Sequence, residues 1–259
     1  MFPLYDDVPS RRVPLATIAV IITNAVVFLW SQGLPPRQRE ALAYQCGFVP
    51  ARIEQLVTHR PMRIVLGRNE QPPRPWGAAP LQVIVLDPSP AKIAFTLVAC
   101  LFLHGSWMHL LGNMWFLWLF GDSVEDRLGH AGFLFFFLLG GLAATLAHWL
   151  VFPHSRFPII GASGAIAAVL GAYAVTWPWA RIHTLVFLIV FITVVELPAL
   201  LFLGGWFVYQ IWAGLAGSHA EGVQSVAWWA HIGGFVTGFL LMPVFDDLLG
   251  EKRQTARLE

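Results

Sequence analysis

Apolar residues in this chain gather into runs far longer than the buried stripe of a soluble helix. The first run, 13–30, follows Arg11-Arg12. A bilayer core of about 30 Å calls for roughly 20 apolar residues per helix, so the run can span. A short run behind a basic flank also fits a signal peptide, but no small-x-small cleavage site follows Trp30, and an uncleaved span is expected. Residues 31–92 are polar, with scattered Pro and Arg and a Pro-rich stretch at 71–80, and read as a large extramembrane loop. The next apolar run, 93–121, is broken by His104-Gly105-Ser106. Serine is a favoured N-cap, so the second span is expected from Trp107 to between Gly121 and Val124, with 93–103 dipping into the interface.

Residues 130–151 form a third expected span and 161–177 a fourth. The fourth is rich in small residues (Gly161, Ser163, Gly164, Ala167, Ala168, Gly171, Ala172), which let helix backbones approach closely in lipid. The run 182–217 divides as one span or as two. Glu196 followed by Pro198 resembles a helix start, since a carboxylate suits the positive end and proline the first turn. The fifth span is therefore expected over 198–217, leaving the β-branched segment 184–195 at the interface. The sixth covers about 226–245 and carries Gly234 and Gly238. The expected fold is an all-α membrane protein, a six-helix bundle with a large first loop: a tail 1–12, a first helix 13–30, a loop 31–105, a core of helices two to six over 106–247, and a tail 248–259.

Composition agrees with lipid as the solvent. The chain is 57% hydrophobic and 12% charged, against about a quarter charged in soluble domains. With 16 Lys and Arg against 15 Asp and Glu, a nucleic-acid partner has no electrostatic basis. Cys46 and Cys100 match no metal or redox spacing and read as structural. Arg11, Arg12, Arg127, Arg181, Lys252, Arg253 and Arg257 fall on one side of a six-span arrangement, and the short loops opposite hold only Arg156. That bias places both termini in the cytoplasm. The long first loop holds the other eight basic residues, but loops of that length count weakly.

Chemistry enters through Gly161-Ala162-Ser163-Gly164 and through His231, a lone histidine in the sixth apolar run. A serine and a histidine placed where water is scarce are two halves of a nucleophilic pair. In six spans, His109, Ser163 and His231 share one depth, one or two turns below the outer surface; cutting 182–217 into two spans would send His231 to the other face.

These residues resemble a known family. His104-x-x-x-x-His109-x-x-x-Asn113, the segment Gly161 to Gly164, and His231 with Gly233-Gly234 are similar to the motifs of the rhomboid intramembrane proteases, over residues 92–245. The resemblance implies that Ser163 attacks a scissile carbonyl and that His231 relays the proton as a two-residue dyad. It also implies that Asn113, His109 and the Ser163 N–H stabilise the oxyanion. Substrates would be single-span proteins with a small residue at the cleavage site and a destabilised helix beyond it, cut near the outer face. The elementary physics is compatible with these roles. Positions 109 and 113 share a helix face, Ser163 sits in a first turn whose N–H groups lack intrahelical partners, and Gly164 leaves room for a substrate backbone. His104, His109 and Asn113 would wet a cavity. A compact six-span chain without a seventh points to a bacterial inner membrane.

The chain also departs from the family. Phe95-Thr96 stands where many bacterial members carry Trp-Arg, and Ala167 stands where some place a tyrosine against the histidine, so another group must orient His231. His104 reads as a supporting hydrogen-bonding residue, Gly121-x-x-x-Glu125-x-Arg127-Leu128-Gly129 as a turn with a buried ion pair or hydrogen bonds, Asn24 as an interhelical hydrogen bond, and Glu196 as a cap. His130, His148, His154, His183 and His219 lie near span ends and receive no role. No His-Glu-x-x-His motif and no intramembrane aspartate pair occurs, so neither a zinc nor an aspartyl mechanism is expected, and no metal or cofactor. The competing reading is a catalytically silent relative that binds transmembrane helices. A small transporter would show internal repeats, and none is seen.

Overall fold

The computed structural model describes residues 2–67, 82–188, 191–217 and 226–255; the Pro-rich stretch 71–80 and His219 lie outside the described residues. The chain opens with a strand, β1 (Phe2–Asp6), and enters helix α1 (Leu15–Gln32). The first loop is largely structured. It contains α2 (Pro36–Cys46), a 3-10 turn (Pro50–Glu54), α3 (Gln55–Thr58), the antiparallel pair β2 (Met62–Val65) and β3 (Val83–Leu86), and α4 (Pro90–Ala99). Tyr44, Val49, Ile64, Leu66 and Leu86 give this region a small core of its own. The Gln55 amide donates to Leu86 O at 2.9 Å, tying α3 to the end of β3.

A second 3-10 turn (Cys100–Phe102) leads from α4 into α5 (Trp107–Leu128), and the two helical segments meet at 81°. The Ser106 hydroxyl accepts the His109 N–H at 3.2 Å, the cap expected from sequence. α5 runs a turn past Val124 and stops at Gly129, whose φ of 76° ends the helix. Then follow α6 (His130–Val151), α7 (Ser163–Thr176), β4 (Arg181–Leu188), β5 (Phe191–Pro198), α8 (Ala199–Ala216) and α9 (Trp228–Thr255). Helices thus stand at all six positions where spans were expected. Among the described residues, four helices qualify as spans by length and composition alone: α1, α6, α8 and the Trp228–Leu248 part of α9. The bent pair of α4 with its 3-10 turn and α5 counts as a fifth only when taken as one broken span. With 14 residues, α7 is only about 21 Å long, shorter than a bilayer core.

The small residues make α7 the centre of the bundle. Every residue from Gly164 to Ala174 is buried, and α9 lies directly against it. A Cβ on Gly234 would fall 2.1 Å from Gly164 O, and one on Gly238 1.8 Å from Ala168 O. In lipid, where apolar surface alone gives helices little reason to associate, this backbone-to-backbone approach is a main source of packing.

At the end of the bundle away from Ser163, polar contacts fasten the elements. The Glu125 carboxylate, 1% exposed, accepts the first-turn N–H groups of Ala16 (2.8 Å) and Thr17 (2.7 Å) and meets His130 Nδ1 at 2.5 Å. It therefore caps α1 from α5, since Pro14 offers no side-chain cap. Arg127 Nε donates to both Asp246 oxygens, at 2.7 and 2.9 Å, joining α5 to α9. The segment expected at the interface is an antiparallel hairpin, β4–β5, pairing Thr184 with Val195 and His183 with Glu196. β1 adds to its other edge, in the order β1-β4-β5.

Two expectations are corrected. Glu196 does not cap a helix: it lies within β5, where it accepts from Arg181 at 2.9 Å, and α8 begins with Pro198 as its cap residue. β-branched residues on both sides of the turn favour pleated pairing over a helical entry. Among the described residues Asn24 makes no interhelical bond: its Nδ2 donates to Val20 O at 2.9 Å within α1, the local bonding that short amides favour.

Candidate active site

The helix packing sets the site. α7 begins at Ser163, after the cap residue Ala162 and Gly161, whose φ of +120° turns the chain into the helix. The Gly161 N–H donates to Cys100 O at 2.8 Å, holding this entry against the turn before α5. A side chain at 161 would have to displace the His109 ring, because a Cβ would stand 2.6 Å from His109 Nε2. The glycine thus brings α7's first turn up against His109 and Asn113 on α5.

From the other side, the Gly234 and Gly238 contacts draw α9 onto α7 and place His231 above the nucleophile candidate. His231 Nε2 lies 2.8 Å from Ser163 Oγ. His231 is 9% exposed and its ring is bounded by two tryptophans, Trp206 of α8 at 5.9 Å between centroids and Trp228 of α9 at 6.2 Å. Its other nitrogen, Nδ1, lies 2.8 Å from Gln210 Oε1.

Across the site, Asn113 Nδ2 lies 2.8 Å from His104 Nε2. An amide NH₂ has two hydrogens, so one remains for another acceptor. The His109 ring packs edge-on to His104, with centroids 5.0 Å apart. A cavity of about 1260 Å³ is lined by His104, His109, Asn113, Gly161, Ser163 and His231, among others. The seven candidate site residues, Gly164 included, border this one space.

Gln210 and the two tryptophans were not among the residues singled out. Gln210 carried a signal, as a lone amide in an otherwise apolar helix, where polar residues are functional suspects by default. His148, near a span end and without an expected role, lines the same cavity, with Nδ1 buried and unpartnered among the described residues. Among the described residues no group of three or more His, Cys, Asp or Glu could hold a metal ion.

The fold and site define an integral, multi-pass membrane protein with a serine–histidine pair inside its helix bundle. Residues 92–246 match the model of the Rhomboid domain, and the chain belongs to the rhomboid family, which includes both intramembrane serine proteases and catalytically silent members. It is similar to rhomboid-like protein 11, chloroplastic, of Arabidopsis thaliana, with 32% identity over 57% of this chain and 51% of that protein. It is also similar to presenilin-associated rhomboid-like protein A, mitochondrial, of Danio rerio, with 28% identity over 65% of this chain and 42% of the relative. Rhomboid protein 1, mitochondrial, of Saccharomyces cerevisiae matches at 32% identity over 36% of this chain and 28% of its own length. The chain spans about half or less of the length of these curated relatives.

Proposed function

We propose that this chain is an intramembrane serine endopeptidase that cleaves transmembrane protein segments near the membrane face opposite its N-terminus. The observation that carries the reading is the 2.8 Å approach of Ser163 Oγ to His231 Nε2 within a cavity. Hydrogen-bond reach between nucleophile and base is the first requirement of such a pair.

In this mechanism Ser163 Oγ attacks the scissile carbonyl carbon as its proton passes to His231 Nε2. The carbonyl oxygen becomes an oxyanion, which accepts from the free Asn113 N–H, the His109 ring and the first-turn N–H of Ser163. The C–N bond then breaks, the leaving amine takes the proton from His231, and an acyl ester remains on Ser163. Water, activated in turn by His231, attacks the ester carbonyl, releases the second product and restores the hydroxyl. A cavity of about 1260 Å³ exceeds the roughly 300–1,000 Å³ of small-molecule sites and suits an unwound stretch of polypeptide. Its histidines and Asn113 give water a polar path to the ester. His104 acts on Asn113, holding its amide.

The test is labelling by a fluorophosphonate serine probe of the purified protein in detergent. Wild type is expected to label, and Ser163→Ala and His231→Ala are not. Absence of labelling in folded wild type would favour the silent, helix-binding reading, and labelling of Ser163→Ala would sink the nucleophile.

A further inference from the structure

We propose that Gln210 is the positioning residue of the pair, the group that fixes which nitrogen of His231 carries the proton. The inference rests on the protease reading only for its kinetic consequence; the contact itself is a matter of geometry.

A neutral imidazole has one N–H and one lone pair. To take the proton of Ser163, Nε2 must present the lone pair, so the N–H must sit on Nδ1. In a buried site that N–H needs an acceptor, because an unpaired buried donor forfeits its solvation. Gln210 Oε1 stands 2.8 Å from Nδ1. Gln210 is itself 3% exposed, in a helix that is otherwise apolar apart from its tyrosine and tryptophans. An amide there, without a partner, would be costly.

The placement has a second element. Trp206 lies one turn before Gln210 on the same face of α8, and its ring lies 5.9 Å from that of His231. α8 therefore supplies both an aromatic wall and an acceptor, whereas α7 offers only the methyl of Ala167 at the position noted above. Choice of an amide over a carboxylate also has a physical reason. A carboxylate would hold the same N–H, but an ion is costly to desolvate in a membrane-embedded site. The amide carbonyl holds Nδ1–H in the resting ring and in the imidazolium that forms once Ser163 has given up its proton.

The experiment uses the full chain with ¹⁵N-labelled histidine in detergent micelles. Long-range ¹H–¹⁵N spectra report the tautomer of each ring, with His231→Ala assigning the resonance. Wild type is expected to carry the proton on Nδ1, and Gln210→Leu, of similar size without an acceptor, to lose that preference. Turnover of a single-span substrate is measured in parallel. Gln210→Leu should lower kcat by about 10- to 100-fold, the range expected for leaving one buried donor unpaired, with KM nearly unchanged. Gln210→Glu, which retains the acceptor, should recover most of the loss. An Nε2-protonated ring in wild type, or undiminished kcat in Gln210→Leu, overturns the proposal. If Gln210→Leu does not fold, Gln210→Met and the wild-type tautomer decide the matter. A folded wild type with the proton on Nδ1 but no turnover counts against the protease reading and leaves the contact standing.

Discussion

Gly161 shows how much of the site depends on one backbone position. Its φ of +120° is a conformation that side chains disfavour, and His109 Nε2 occupies the space a Cβ would need. Gly161→Ala must either relax the turn into α7 or push His109 aside. A displacement of about 1 Å in a catalytic group can cost up to roughly 10²-fold. The expected result is a fluorophosphonate labelling rate at least about tenfold below wild type, with helix content by circular dichroism unchanged. At this scale the sequence was informative where chemistry constrains residue type. Ser163, His231, His109 and Asn113 stood out because polar groups in apolar runs are rare. Gln210 was equally rare but escaped notice, since its partner lies 21 residues away and no local spacing joins them. His148 was hidden because nearness to a span end says nothing about which way a ring faces.

Among the elements, the contact between α7 and α9 carries the most weight, because it sets the distance between the pair. Gly238→Ala would place a methyl 1.8 Å from Ala168 O, a backbone atom that cannot swing away. Overpacking costs typically about 1–3 kcal/mol, and a backbone obstacle argues for the upper part of that range. The variant should melt at lower temperature in detergent and lose labelling of Ser163 even where it remains folded. β1 gives a second expectation. Burial holds the Asp6 carboxyl above its ordinary range, against the opposing hydrogen bond from Tyr173. A group whose folded value is raised contributes stability fully below its unfolded value and loses it as pH rises through the folded one. Attachment of β1 should therefore weaken as pH climbs past that raised value. Amide exchange protection over residues 2–6 measures this, and Asp6→Asn should flatten the dependence. The sheet itself was only half legible: β-branched residues marked 184–195 as unlike its neighbours, but the pairing of β1 with β4 joins Phe2 to Leu185 and Asp6 to Ile182, across most of the bundle's helices in the chain. Periodicity is a local signal and cannot report such pairing.

In the molecule as a whole, contacts sort the helix ends into two groups. Glu125 touches the start of α1 and of α6, and Arg127 reaches Asp246 near the end of the apolar part of α9. Ser163, His231 and His109 gather at the other end. The helices therefore alternate in direction, as the six-span reading requires. In a background with both native cysteines replaced by serine, Ser10→Cys and Asp247→Cys should react with an impermeant maleimide from one side of the membrane, and Gln38→Cys from the other. Reaction of residues 10 and 247 from opposite sides would overturn the arrangement. The bundle was legible because hydrophobic length is a strong signal. The folded interior of the first loop was not, since its small core is built from residues scattered over 44–86.

The three-stranded sheet also imposes an order on biogenesis. β1 ends at Asp6 and its partner β4 starts at Arg181, so at about 5–20 residues per second the first strand waits roughly 10–35 s for its neighbour. Throughout that interval α1, α5, α6 and α7 are being delivered to the membrane while one edge of the sheet has nothing to pair with. Closure of the sheet therefore cannot precede synthesis of Ser163, which lies before β4 in the chain, and His231 follows later still. The two reactive side chains meet only once the rest of the scaffold is in place.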